Sequence, residues 1–319
     1  MTTSDKSHTI GIWSGLISGL TYGIYTTLVL VAGYYEPLAG AVGLLAAPYV
    51  CSGLNDLFAG IWLSIYNAKR GMLAEVPRCL KTRSGKVVAL GSLLGGPVAN
   101  GAYLIGLALA GAYAIPISAT CSLFGAIFSW IFLKQKPTKR VVAGMVICVS
   151  GAIVINWVKP EGSTNFTLGI ICALLAAICW GLEGMFSSFS GEDLDPDISV
   201  NLRELISGVV DLVIIVPVVG ALPLLAGTMK AGIPVVWLLV AGLAAAVSFL
   251  TWYKSNALVG CAIGMSLNVT YAFWGVLFCV LFLGQELTVT IVAGSVIIVL
   301  GAVLVTMNPL DLFRKNPAE

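Results

Sequence analysis

The sequence is short of charge. Only 10% of its 319 residues are Asp, Glu, Lys or Arg, against 58% apolar residues, and the mean hydropathy is +0.98. So few polar side chains cannot cover a soluble domain. Histidine is almost missing: the lone His8 lies in the N-terminal tail, which excludes His-based metal sites and imidazole proton relays. There is no HExxH and no Walker-type glycine loop, so no catalytic residue, metal or cofactor is expected, and the chain reads as a non-enzyme. The eight cysteines form no CxxC pair. Cys51, Cys121, Cys148, Cys172, Cys179, Cys261 and Cys279 sit in apolar stretches and read as small packing residues.

What the sequence has instead is long apolar runs. A helix needs about 20 apolar residues to cross a hydrocarbon core. The runs predict an all-α membrane protein with ten transmembrane helices, near 10–31, 40–66, 86–110, 114–133, 139–158, 167–189, 200–226, 233–257, 261–283 and 288–307. The first run is too long for the core of a cleaved signal and is expected to remain as a helix. With a cytoplasmic N-terminus, only Lys159 and Lys230 of the 17 Lys and Arg residues fall on the outer side. That bias predicts a multi-pass plasma-membrane protein with both termini cytoplasmic. The basic stretches 81–86 and 134–140 are orienting charge, and no nucleic-acid partner is expected.

Shifted by 150 residues, Phe132-Leu133, Gln135, Thr138 and Val142-Ala143-Gly144 fall on Phe282-Leu283, Gln285, Thr288 and Val292-Ala293-Gly294. The same register pairs Gly151-Ala152 with Gly301-Ala302, Tyr103 with Tyr253 and Thr120 with Thr270. These matches predict two five-helix repeats, 1–158 and 159–319. Five is odd, so the second repeat enters the membrane from the opposite side, the inverted design of secondary transporters, whose substrate sites lie near the midplane.

This pattern resembles the drug/metabolite transporter superfamily and its EamA-type, ten-helix members. Leu283-Gly284-Gln285-Glu286-Leu287-Thr288 with Gly294 and Gly301 looks like their segment before the last helix. Cys179-Trp180-Gly181-Leu182-Glu183 with Ser187-Ser188-Phe189, and Leu267-Asn268-Val269-Thr270-Tyr271 with Trp274, are closer to the LicB-type bacterial choline transporters. Gly96-Pro97 and Leu202-Arg203 agree with them. The resemblance implies a secondary transporter that imports choline or a related quaternary ammonium compound by alternating access.

Glu183 lies in mid-helix, where an ionisable residue is costly unless it is paired or lines a wet cavity. It asks for a cationic partner; a protonated Glu bonded to a neighbouring helix is the structural alternative. Trp180 is one turn away on the same face. A quaternary ammonium ion has no N–H to donate, so aromatic faces plus a charge must hold it. Tyr22 and Tyr25 in helix 1, Trp252 and Tyr253 in helix 8, and Asn268, Tyr271 and Trp274 in helix 9 are the candidates, although any single one could be plain packing. Asn100 and Tyr103 could bind a substrate hydroxyl or hold helices together. Asp56 and Asp211 occupy equivalent repeat positions and could titrate during transport or bridge helices, so they rank below Glu183. Arg203 with Glu204 reads as a snorkelling or local pair near the end of helix 7. Gly11, Gly15, Gly19 and Gly23 form a packing stripe on helix 1. A permease or exporter for another organic cation, amine or amino acid, and a non-transporting membrane receptor or scaffold, remain open beside the choline reading.

Overall fold

The computed structural model describes residues 3–110, 114–155, 165–284 and 288–306. Among these the regular structure is helical, without strands, and the chain is an all-α membrane protein. Ten helical passes appear. The first is Thr3–Gly33 and the second Ala46–Lys69. The third runs through Arg83–Leu93, a π-helical turn Leu94–Val98 and Ala99–Ala110. The fourth is split into Ala114–Ala119 and Cys121–Leu133. The fifth and sixth are Lys139–Ile155 and Phe166–Ser190. The seventh joins Pro196–Val210 to a π-helical turn Asp211–Ile215 and Val216–Val218. The eighth is Ile233–Val259, the ninth is split into Cys261–Asn268 and Tyr271–Leu283, and the tenth is Val289–Thr306. Lys6–Gly33, Arg83–Gly106, Phe166–Ser190, Ile233–Val259 and Cys261–Leu283 are each long and apolar enough to cross a membrane.

Several expected boundaries move: the first pass begins at Thr3 and the seventh at Pro196. The second pass begins at Ala46, because Gly43 at φ 98° interrupts the apolar run. The seventh ends at Val218, because Gly220 at φ 73° turns the chain and Leu222–Ala231 follows as a separate short helix with Pro223 in its first turn. Lys159, Gln285, Arg314 and Lys315 lie outside the described residues.

The breaks in the fourth and ninth passes share one local contact. Thr120 Oγ1 donates to Ile117 O at 2.6 Å and Thr270 Oγ1 to Leu267 O at 2.7 Å. Such back-bonding offers a carbonyl an alternative to the helical ladder and bends the helix. Both passes also end on a left-handed residue, Lys134 at φ 60° and Gly284 at φ 67°.

Small residues set the packing. The first pass lies along the eighth and ninth: a Cβ on Gly11 would meet Val259, one on Gly15 would meet Leu267, and one on Gly23 would come within 2.7 Å of Trp274 Cβ. The glycine stripe is therefore a helix-packing face. The fifth and tenth passes cross glycine on glycine: a Cβ on Gly144 would lie 2.8 Å from Gly301 O, and one on Gly151 would lie 2.7 Å from Gly294 O. Cys148 Sγ is 3.5 Å from Ile298 O between them.

Candidate functional site

The helices enclose a cavity of about 500 Å³ lined from the first, second, third, fourth, sixth, seventh, eighth and ninth passes. One end is tied shut by polar contacts. Arg70 pairs with Asp195 and Asp197, and Ser84 Oγ donates to Asp193 at 2.9 Å. Gln135 Nε2 donates to Ser188 Oγ at 3.1 Å, and Asn256 Nδ2 donates to Ser187 Oγ at 2.6 Å. Toward the other end the wall is formed by Val29, Leu30, Gly33, Tyr34, Ala47 and Pro48.

The deep part of the wall carries a buried ionic cluster. Arg203 Nε donates to Glu183 Oε1 at 2.8 Å, and its NH1 donates to Glu204 Oε1 at 2.9 Å and Asp56 Oδ2 at 3.3 Å. All four side chains are at most 7% exposed. Ser207 Oγ donates to Asp56 at 2.6 Å, and the Tyr253 hydroxyl lies 3.5 Å from Glu183 Oε1. The guanidinium also lies 4.0 Å from the centre of the Phe249 ring. Buried charges of this kind persist only with close partners, because each ion gives up several kcal/mol of hydration (about that order) on leaving water.

The sixth and third passes fit together around Glu183. Gly95 leaves the space its carboxyl occupies, since a Cβ there would overlap Glu183 Oε2. Pro97 has no N–H and sits in the π-helical turn, where the helical ladder is loosened. Two carbonyls of that turn are bound by aromatic side chains: Trp180 Nε1 donates to Gly95 O at 2.8 Å and Tyr49 Oη to Pro97 O at 2.9 Å. The hydrogen bond holds the indole at the cavity wall, 5.4 Å from the Tyr103 ring.

A second group of rings meets at Tyr22. Its centroid is 4.6 Å from Tyr25, 4.4 Å from Tyr271 in a stacked pair, and 6.4 Å from Phe249. Trp252 lies against Phe249 at 5.9 Å. Asn100 lines the cavity while its amide donates to Ser52 Oγ at 3.0 Å, so it also ties the third pass to the second. Asn268 likewise lines it and donates to Ser18 Oγ at 2.7 Å.

Of the residues singled out in the sequence, Tyr22, Tyr25, Asp56, Asn100, Tyr103, Trp180, Glu183, Trp252, Asn268 and Tyr271 line this one cavity. Tyr253 is buried behind Glu183 and does not line it. Asp211 is buried outside the wall, at the start of the seventh pass's π-helical turn. Trp274 also stays outside: the break at Val269–Thr270 rotates the second half of the ninth pass, and the indole packs on Phe273 and Phe278 beside Gly23. Its i, i+3 spacing from Tyr271 would share a face only in an unbroken helix.

Arg203 needs the larger correction. It neither snorkels nor pairs only with its neighbour; it is the cation that Glu183 requires, and Asp56 shares it. The missed signal is Asp195-Pro196. Asp195 Oδ1 accepts from Asp197 N at 2.9 Å as an N-cap, with Pro in the first turn. Starting the helix there carries Arg203 about 10 Å inward at 1.5 Å per residue. Phe249 was missed for a plainer reason: a phenyl in an apolar helix has no distinguishing sequence context.

Residues 167–307 match the EamA-like transporter family. Protein LicB of Haemophilus influenzae is 25% identical over 193 residues, which is 59% of this chain and 64% of LicB. The uncharacterized transporter YvbV of Bacillus subtilis is 25% identical over 173 residues, 53% of each chain. The chain thus matches less than two thirds of the length of either relative. A solved crystal structure at 17% identity superposes with a TM-score of 0.69, covering 97% of this chain and 99% of the other, which speaks for the fold alone. Together the family match and both relatives bear out the resemblance to EamA-type transporters of the drug/metabolite superfamily.

Proposed function

We propose that this EamA-type transporter imports a small organic cation, choline or a related quaternary ammonium compound, by alternating access. The observation that carries the reading is the meeting, in one cavity of about 500 Å³, of aromatic rings from several passes with Asp56, Glu183 and Arg203, to which Glu204 is paired from behind the wall. Aromatic faces attract a methylated nitrogen that can donate no hydrogen bond, and the cluster's formal excess of negative charge favours a cation over an anion. Tyr22, Tyr25, Tyr103, Trp180, Trp252 and Tyr271 form the walls, with Asn100 and Asn268 at hand for a hydroxyl.

The two-repeat reading is supported by local geometry. The bends at Thr120 and Thr270 and the left-handed ends at Lys134 and Gly284 recur 150 residues apart, as the sequence register does. The glycines cross in the reciprocal sense, Gly144 on Gly301 and Gly151 on Gly294, which is what a pseudo-twofold axis in the membrane plane requires. With both termini cytoplasmic in the plasma membrane, the sealed end faces the cytoplasm and the cavity wall reaches toward the outside.

Uptake of labelled choline by the purified protein in liposomes tests the function. Binding without uptake would leave a receptor, and no binding would remove the substrate assignment. A second reading, transport of a zwitterion such as an amino acid, draws on Arg203, whose guanidinium in the wall could meet a carboxylate. Competition by betaine stronger than that by choline would favour it.

A further inference from the structure

Arg203 holds the groups that a cationic substrate would use. It engages Glu183 at 2.8 Å and lies 4.0 Å over the Phe249 ring, and all three residues line the cavity. It is also tethered on its other side, through NH1 to Glu204 at 2.9 Å and Asp56 at 3.3 Å. A guanidinium released from Glu183 therefore keeps two charged partners, one on its own helix and one on the second pass.

Formal charge makes the consequence countable. Counted as fully ionised groups, Asp56, Glu183 and Glu204 against Arg203 leave −2 in the empty cluster, and one bound monocation makes it −1. Without Arg203 the same states would be −3 and −2. Net transport requires the empty carrier, as well as the loaded one, to pass through the occluded form. Each further unpaired charge opposes that passage in a low-dielectric interior.

We propose that Arg203 is a tethered counter-cation: it neutralises Glu183 in the empty carrier, yields Glu183 to the substrate's ammonium group on binding, and so permits the empty carrier to reorient. This rests on the cationic-substrate reading, and the test separates the two. Choline binding to the parent protein is measured first by calorimetry; its absence defeats the substrate reading and this inference with it. Arg203→Gln is then assayed in liposomes in two modes, net uptake into empty vesicles and exchange into choline-loaded ones.

Net uptake should fall by about a hundredfold, the scale of one uncompensated buried charge, and by at least about tenfold more than exchange does. Arg203→Gln combined with Glu204→Gln restores the parent's formal charge and should regain net uptake; Glu204 does not line the cavity. Arg203→Gln losing net uptake and exchange equally, or keeping both, would overturn the inference. If that single variant does not fold, the double variant decides: exchange without net uptake there overturns it as well.

Discussion

Tyr22 is the ring on which the proposed cage can be tested most sharply. Replacement by Leu removes two ring pairs closer than 5 Å, to Tyr25 at 4.6 Å and Tyr271 at 4.4 Å. At about 0.5–1.5 kcal/mol per pair, the fold should lose about 1–3 kcal/mol. If the ring also faces the substrate nitrogen, binding should lose about 0.5–2 kcal/mol more, which is about a twofold to thirtyfold rise in Kd. Tyr22→Phe keeps every ring contact and isolates the hydroxyl. Calorimetric titration of the parent and both variants, with choline and with its uncharged carbon isostere 3,3-dimethylbutan-1-ol, separates charge from burial. The expected order is parent close to Phe, both tighter than Leu, with choline preferred to the isostere throughout the first two. If Leu binds choline as tightly as Phe, and the isostere binds as well as choline, the rings are packing and the cage is refuted.

Trp274→Leu should leave the choline Kd unchanged within about twofold, because that indole packs on Phe273 and Phe278 outside the cavity; a loss equal to that of Tyr271→Leu would refute the break in the ninth pass. Gly19→Ala should cost about 1–3 kcal/mol by overpacking, since the added Cβ would overlap Thr270 Oγ1 and approach the Leu267 carbonyl at 3.0 Å. Gly33→Ala, where nothing lies within 4 Å, should be silent, so equal melting shifts in detergent would contradict the packing role of the stripe. A cysteine at exposed Lys81 should react with an impermeant thiol reagent only from the cytoplasm, and one at Val42, 94% exposed, only from outside. Ser84, buried and bonded to Asp193, would not serve as the inner probe. Labelling of Lys81→Cys from outside would reverse the orientation.

Pass number and the gathering of Glu183, Trp180 and the tyrosines were legible because they rest on composition and local spacing, which survive any error in tertiary detail. What was not legible rested on where a helix starts or bends. Reading the seventh helix from 200 rather than from the Asp195-Pro196 cap left Arg203 at a helix end, where a long cation normally reaches for water. Moving the start by four residues places it among acids. Trp274 failed for the converse reason: the i, i+3 rule was sound, but Thr270 breaks the helix it was applied to. Thr120 and Thr270 were already paired by the repeat register, so a shared threonine in an apolar run was the available hint of a shared bend.

The ionic cluster is best understood as a cost that packing alone would not sustain. In a buried site, replacing a set of paired charges with apolar groups of similar volume is often neutral or stabilising, and a bilayer setting makes lone charges costlier still. Yet here an arginine and three acids are held at 2.8–3.3 Å. Gly95 and Gly96 are kept bare so that Glu183 and Ser207 can press against the third pass, and a π-helical turn yields carbonyls to Trp180 and Tyr49. Every one of these features brings charge or an aromatic edge closer to one cavity, and none is needed to join two apolar helices. A site of this kind is stable only while its charges remain mutually satisfied. Movement of the second or the sixth pass against the seventh must therefore alter an ion pair to Arg203, that of Asp56 in the one case and that of Glu183 in the other, while the Glu204 pair travels with its own helix.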